Sequence, residues 1–148
     1  MSMIHNKYEA ILLDLDGTLL DIDLDKFIGA YVKALSARFS AYMDHESFIA
    51  HLFGSTSAMV ENNDPDSKNR DVFYRDFCKR IGLPYEDIKP VIDHFYEHDF
   101  PQLSCWGRRL PLARKVVETV QLKKLPLVLA TKPIFPPAAV YQRLSWAG

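Results

Sequence analysis

Two carboxylates, Asp14 and Asp16, follow a run of apolar residues near the start of the chain, in the stretch ILLDLDGTLLD. Close carboxylates repel each other, so this arrangement is costly for a fold and useful for a reaction. One carboxylate can attack a phosphorus or carbon centre, and the other can exchange protons with a leaving group and with water. Their hard oxygen atoms also suit Mg²⁺, which would offset the repulsion. The pattern predicts a reactive site built on Asp14 and Asp16.

The two acids need a strand to position them. The segment Ala10–Leu15 is a short continuous apolar run ended by Asp-Gly, which is typical of a strand buried on both faces. Gly17 then allows the chain to turn and a ligand to approach the backbone. Ligands of open parallel sheets bind beyond the carboxyl ends of the strands. A second buried strand is predicted over Leu125–Thr131, and it also ends in polar residues.

Helices fill the sequence around these two strands. Gly54 and Gly82 are expected to end the second and third helices, Pro90 favours a kink or split in the fourth, and Pro101 is expected to end it. The predicted helices cover residues 26–39, 45–53, 70–81, 85–100, 110–124 and 138–146. The order is strand, a long helical block, helix, strand and helix. It predicts half of an α/β domain with a helical insertion after its first strand.

The motif LLDLDGTLLD resembles the first motif of the haloacid dehalogenase (HAD) superfamily, which is dominated by Mg²⁺-dependent phosphatases. The segment LVLATKPIFP is similar to the second motif of that family, an apolar strand ending in Ser or Thr, with Lys132 where the family usually has Asn. The resemblance implies that Asp14 is the nucleophile, Asp16 the general acid/base and Thr131 the phosphate-binding residue. It also implies that the Asp14 carboxylate and the Asp16 main-chain carbonyl hold Mg²⁺. The expected substrates are small soluble phosphate esters.

The resemblance also implies a division of the chain and a gap in it. Residues 1–20 and 104–148 would form a partial Rossmann-like core, and residues 21–103 an α-helical cap. The family has a further Lys and a pair of Asp downstream of the second motif, whereas no acid follows Glu118 here. The chain is therefore expected to be an incomplete member, with Lys132 as a candidate replacement for the Lys. The first strand would keep an open edge, which favours self-association or a complementing segment.

Composition limits the other function classes. The 148 residues carry a formal net charge of −1, which argues against a dedicated nucleic-acid binder. Two cysteines are too few for a disulfide framework and indicate reduced thiols in the cytoplasm. No run approaches the roughly 18 apolar residues of a membrane helix, and the N-terminus lacks the apolar core of a signal peptide. A small-molecule partner is expected, with no nucleic acid and no membrane.

Two alternatives remain open. The chain is either an active hydrolase or an inactive fragment that keeps the nucleophile without turnover. A third reading comes from HFYEH, which matches a zinc-peptidase helix pattern with His94 and His98 on one helical face and Glu97 as base. A third zinc ligand would have to come from Glu118, so this reading is the weakest of the three.

Overall fold

A computed structural model describes residues 8–148. The first seven residues of the predicted core, 1–7, lie outside the described residues. The chain is a mixed α/β structure in which helices dominate and a small parallel sheet has two strands. The predicted elements occur in the predicted order with shorter strands than expected, and two further strands, β2 and β3, were not predicted. The elements in chain order are β1 Ile11–Leu13, β2 Leu20–Ile22, α1 Leu24–Arg38, α2 His45–Glu61, α3 Asn69–Ile81, α4 Tyr85–His94, β3 Gly107–Arg109, α5 Ala113–Leu122, β4 Leu127–Leu129 and α6 Pro137–Ala147.

Side-chain caps begin two of the helices. The Asp23 carboxylate accepts from the backbone N–H of Lys26 before α1, and Asp44 accepts from Ser47 before α2. Each carboxylate satisfies a donor that the first helical turn leaves unpaired. Gly82 ends α3 in the left-handed conformation, with φ of 69°, as the sequence predicted.

Two predicted helix ends are wrong. Helix α2 runs through Gly54, which lies against the side chain of Arg80; a Cβ at Gly54 would meet Arg80 Nη1 at 2.8 Å. Helix α4 also runs through Pro90, so of the predicted kink or split the split does not occur. Pro101 does not end the run, since a π-helical turn over Phe95–Asp99 leads into a 3₁₀ helix over Phe100–Trp106, and Pro tolerates a first-turn position.

The described residues form two small sheets of two strands each. Strands β1 and β4 pair in parallel, with Leu13 opposite Leu129. Strands β2 and β3 form an antiparallel ribbon that the sequence did not predict, with Asp21 opposite Arg108. This ribbon joins the two ends of the helical insertion, so the helices are tied to the β1–β4 sheet at both of their chain connections.

The sequence predicted that β1 is buried on both faces, and this prediction is wrong. Leu12 is 64% exposed and Val128 of β4 is 46% exposed, whereas their neighbours along each strand are half-buried. Side chains alternate between the faces of a strand, so one face of the β1–β4 sheet packs inward and the other meets solvent. The described residues leave this second face uncovered.

The main core lies between the helices of the insertion and α6. Phe27 is fully buried and its ring packs at 6.0 Å from Phe100 and 6.2 Å from Trp146, centroid to centroid. Trp146 stacks on Phe100, with 5.4 Å between the ring centroids. The predicted cap and the predicted core therefore share one cluster of aromatic side chains, which fixes α6 against α1.

Candidate active site

The turn after β1 holds the two acids. Leu15 and Leu20 are fully buried and anchor the ends of this turn. The Leu15 carbonyl accepts from the backbone N–H of Leu19 and of Leu20, each at 2.9 Å, and the Gly17 N–H donates to the Leu20 carbonyl at 2.8 Å. Gly17 has φ of 77°, a conformation that strains other residues. The sequence DLDGTLL thus folds into a tight, hydrogen-bonded turn that fixes Asp14 and Asp16.

Parallel pairing brings the second motif beside the first. The Ala130 N–H donates to the Leu13 carbonyl at 2.8 Å, directly after the last paired residues of both strands. Asp14 and Thr131 therefore leave the same edge of the sheet, as predicted for the carboxyl ends of parallel strands. Asp14 and Lys132 are exposed, and Thr131 is half-buried.

Asp16 is held by a residue that the sequence analysis missed. The Arg143 guanidinium on α6 donates from Nη1 to Asp16 Oδ2 at 2.5 Å. The Arg143 side chain is 1% exposed and that of Asp16 is 23% exposed. The other oxygen, Asp16 Oδ1, is buried and has no hydrogen-bond partner among the described residues. Arg143 thus fixes one oxygen of the Asp16 carboxylate, and no donor among the described residues reaches the other.

The surroundings of Asp16 shift the pKa of its carboxyl. Burial raises the pKa of the Asp16 carboxyl above its ordinary value, Arg143 opposes this, and the nearby Asp14 carboxylate adds to the rise. We assign the net direction to burial because an oxygen without a partner loses its hydration and gains nothing in return. A carboxyl with a raised pKa is suited to donate a proton.

A signal for Arg143 was present in the sequence. Arg143 follows Ala139 by four residues and precedes Trp146 by three, so the three residues share one helical face. Ala139 is fully buried, and the Arg143 guanidinium carbon lies 4.6 Å from the centre of the Phe135 ring. A cation on an apolar face needs an acid to pair with it. The acids at the end of the first strand were the natural candidates.

The donor set suits Mg²⁺ only weakly. The Asp14 carboxylate and the Asp16 main-chain carbonyl are hard oxygen ligands of the kind that Mg²⁺ prefers. The Asp16 carboxylate, however, is committed to Arg143. No group of three or more His, Cys, Asp or Glu side chains that could hold a metal ion occurs within residues 8–148. These residues fit an ion that keeps most of its water ligands.

The histidines of HFYEH lie away from this site, on the surface. The rings of His94 and His98 are 4.4 Å apart between centroids, and His98 Nε2 lies 3.7 Å from a Glu97 oxygen. All three side chains are exposed. In the described part of the chain, no third ligand from the same set of residue types joins them.

An apolar cavity in the described structure touches only one of the predicted site residues. It has a volume of about 580 Å³ and lies between helices α1 to α3 and the segment that follows β4. Thr131 contributes to its wall, whereas Asp14, Asp16 and Lys132 do not. The structure therefore brings the acids and Thr131 to one sheet edge, with the cavity on the Thr131 side.

Comparison with known proteins gave no match among family models, curated proteins or solved structures. Among residues 8–148, no helix combines the length and the hydrophobicity that crossing a membrane requires.

Proposed function

We propose that this chain is a HAD-like phosphomonoester hydrolase that reacts through an aspartyl-phosphate on Asp14. The observation that supports this proposal most directly is the Asp14–Asp16 pair at the carboxyl end of β1, beside Thr131 at the carboxyl end of the parallel strand β4. In this proposal the β1–β4 sheet belongs to a Rossmann-like core, and residues 21–103 are its helical cap. The two free thiols, Cys78 and Cys105, support a location in the reducing cytoplasm.

The reaction has two steps in this proposal. The Asp14 carboxylate attacks the phosphorus of the ester, the bond between phosphorus and the ester oxygen breaks, and the departing oxygen takes a proton from Asp16. Water then attacks the aspartyl-phosphate while Asp16 takes a proton from it, which releases inorganic phosphate and restores both side chains. Thr131 would hydrogen-bond a phosphate oxygen. Arg143 fixes Asp16 by holding Oδ2, so that Oδ1 carries the proton.

Mg²⁺ is the proposed cofactor, held by the Asp14 carboxylate and the Asp16 carbonyl. When bound, it would neutralise charge on the phosphate oxygens. The exposed Lys132 follows Thr131 directly, so its ammonium group is a further candidate to neutralise charge on the phosphate oxygens. Both groups serve to position an anionic ester beside Asp14.

The test is release of inorganic phosphate from para-nitrophenyl phosphate by the full chain in the presence of Mg²⁺. Asp14→Asn should lower the rate by more than about tenfold, because an amide does not form the phosphoryl intermediate. The fold should survive, since Asp14 is exposed and makes no side-chain hydrogen bond in the described structure. Asp66→Asn, at an exposed loop acid, is the matched control. Equal rates for Asp14→Asn and the parent chain would contradict the proposal.

A chain that binds phosphate without turnover is the second candidate. The incomplete metal site among the described residues favours it. No phosphate release from any ester, together with phosphate binding that depends on Thr131, would select this candidate over the hydrolase.

A further inference from the structure

The residues that line the apolar cavity beside Thr131, and the volume of this cavity, favour one class of ligand. Helix α1 contributes Ile28 and Val32 to the lining of this cavity, and α6 contributes Val140 and Leu144. Its volume of about 580 Å³ lies in the range of small-molecule sites. The ring of Phe135, in the loop before α6, forms part of the wall near Thr131.

The polar groups in the wall are few, and several already have partners. The hydroxyls of Tyr31 and Tyr96 are hydrogen-bonded to each other at 2.9 Å, and Thr56 Oγ1 donates to the Leu52 carbonyl at 2.8 Å. Burial raises the pKa of Tyr31 to about 12, so this hydroxyl stays neutral. Sugar or nucleoside hydroxyls entering this space would lose water and find few partners, which is costly. Aliphatic or aromatic carbon would gain by entering.

Arg70, at the start of α3, is the one charged residue among the described residues that line the cavity. Its Nε lies 3.2 Å from Asp71 Oδ1, and the described structure gives Arg70 no other ion pair. Its neighbour Asn69 donates from Nδ2 to the Pro133 carbonyl at 3.1 Å. This bond places the start of α3 next to the loop that follows Thr131. The cavity thus offers an apolar interior with a hydroxyl and a cation near one end.

We propose that this cavity binds the leaving group of the substrate, and that the substrate is a phosphate monoester of an apolar alcohol. The phosphate lies toward Thr131 and Arg70, and the alkyl or aryl group lies among the aromatic side chains. This inference rests on the proposed phosphatase function. It narrows the substrate class from small phosphate esters in general to esters whose alcohol has no hydroxyl besides the one that carries the phosphate.

The first test compares two esters whose leaving groups are both aliphatic alcohols. We expect kcat/KM for hexyl phosphate to exceed that for glycerol phosphate by about 10- to 100-fold, because several CH₂ groups leave water. Ile28→Trp fills the cavity and should remove this preference. Leu24→Trp is the matched control, since Leu24 is on the same helix, is exposed and lies outside the wall. Equal kcat/KM for both esters in the parent chain would overturn the inference and leave the proposed function standing.

The second test measures binding without turnover. Titration calorimetry on the Asp14→Asn chain should give tighter binding of hexylphosphonate than of methylphosphonate, by about 10- to 100-fold. Phe53→Ala, at a wall residue that is 49% exposed, should weaken hexylphosphonate binding without unfolding the chain. Tight hexylphosphonate binding, together with a parent chain that releases no phosphate from any ester tested, would support the cavity and refute the hydrolase. Indistinguishable affinities for the two phosphonates would refute the cavity assignment.

Discussion

Arg143 and Asp16 form an ion pair between residues that are 127 positions apart in the sequence. The pair ties α6 to the turn after β1. The Arg143 side chain is 1% exposed and contacts the Phe135 ring, so the cation is lodged in apolar surroundings. A buried cation without its acid is strongly unfavourable, whereas the pair itself adds little net stability. The pair therefore specifies where α6 packs, and it orients the acid that we propose as proton donor.

Removing one partner should be more costly than removing both. We expect Asp16→Asn to lower the free energy of unfolding by about 2–4 kcal/mol, because Arg143 is left charged and buried. The double variant Asp16→Asn with Arg143→Met should recover part of this loss. Urea unfolding of the parent chain, both single variants and the double variant gives the coupling energy. A double variant whose loss equals the sum of the single losses would show that the two residues do not interact.

The pH dependence of stability should report a second ion pair. Arg38 on α1 donates to both carboxylate oxygens of Asp99, at 2.5 and 2.6 Å. Hydrogen bonds from Arg38 hold the pKa of Asp99 below its ordinary value. A lowered pKa in the folded state adds stability above the unfolded pKa, about 4, and this stability is lost as the pH falls through the folded pKa.

Asp99→Asn should therefore destabilise the chain at about pH 7, and this loss should shrink as the pH falls through the folded pKa of Asp99, because protonation removes the charge of the Asp99 carboxylate. Urea unfolding at several pH values measures the difference. Asp66→Asn serves as control, because Asp66 is an exposed loop acid with no ion pair in the described structure. A loss for Asp99→Asn that stays constant with pH would assign the effect to packing rather than to charge.

Local sequence signals predicted the elements well where a short-range interaction determines them. Asp23 and Asp44 cap their helices, and Gly82 ends α3, because each effect depends on residues within one turn. Gly54 misled the prediction, since its role depends on Arg80 of another helix. The ribbon of β2 and β3 was missed because each strand has three residues and its partner is remote in sequence.

The residues of the candidate site were likewise predicted where a local motif marks them and missed where a remote contact decides. Asp14, Asp16 and Thr131 were predicted from strand-end motifs, and parallel pairing does bring the two strand ends together. Their chemical roles remain predictions. Arg143 was missed because its importance comes from a contact across the whole chain, although its position on an apolar helical face was a usable signal.

Mg²⁺ should bind weakly to this chain. Mg²⁺ holds its water tightly, and one carboxylate with one carbonyl replaces few of those waters. Titration calorimetry should show no saturation at micromolar Mg²⁺, and Asp14→Asn should remove the residual heat. A micromolar dissociation constant would show that a further acid completes the site.

Lys132 should contribute to phosphate affinity through its charge. It is exposed and follows Thr131, so water screens its attraction for an anion. We expect Lys132→Ala to weaken binding of inorganic phosphate by about three- to tenfold, measured as competitive inhibition or by calorimetry. Lys123→Ala, at an exposed lysine after α5, is the control. Unchanged phosphate affinity in Lys132→Ala would exclude this role.

The chain should self-associate through the open side of β1. In the described structure β1 pairs with β4 alone, so the backbone N–H and C=O groups along its other edge have no partner strand. Leu12 beside that edge is 64% exposed, and an exposed apolar edge favours pairing with a second chain.

Light scattering should give a mass above 17.0 kDa that rises with concentration. Leu12→Lys should shift the chain toward monomer, because a charge on an edge strand opposes pairing. Leu24→Lys changes an exposed leucine on α1 in the same way and should have no effect. A parent chain that stays at 17.0 kDa at every concentration would show that this edge is closed in solution.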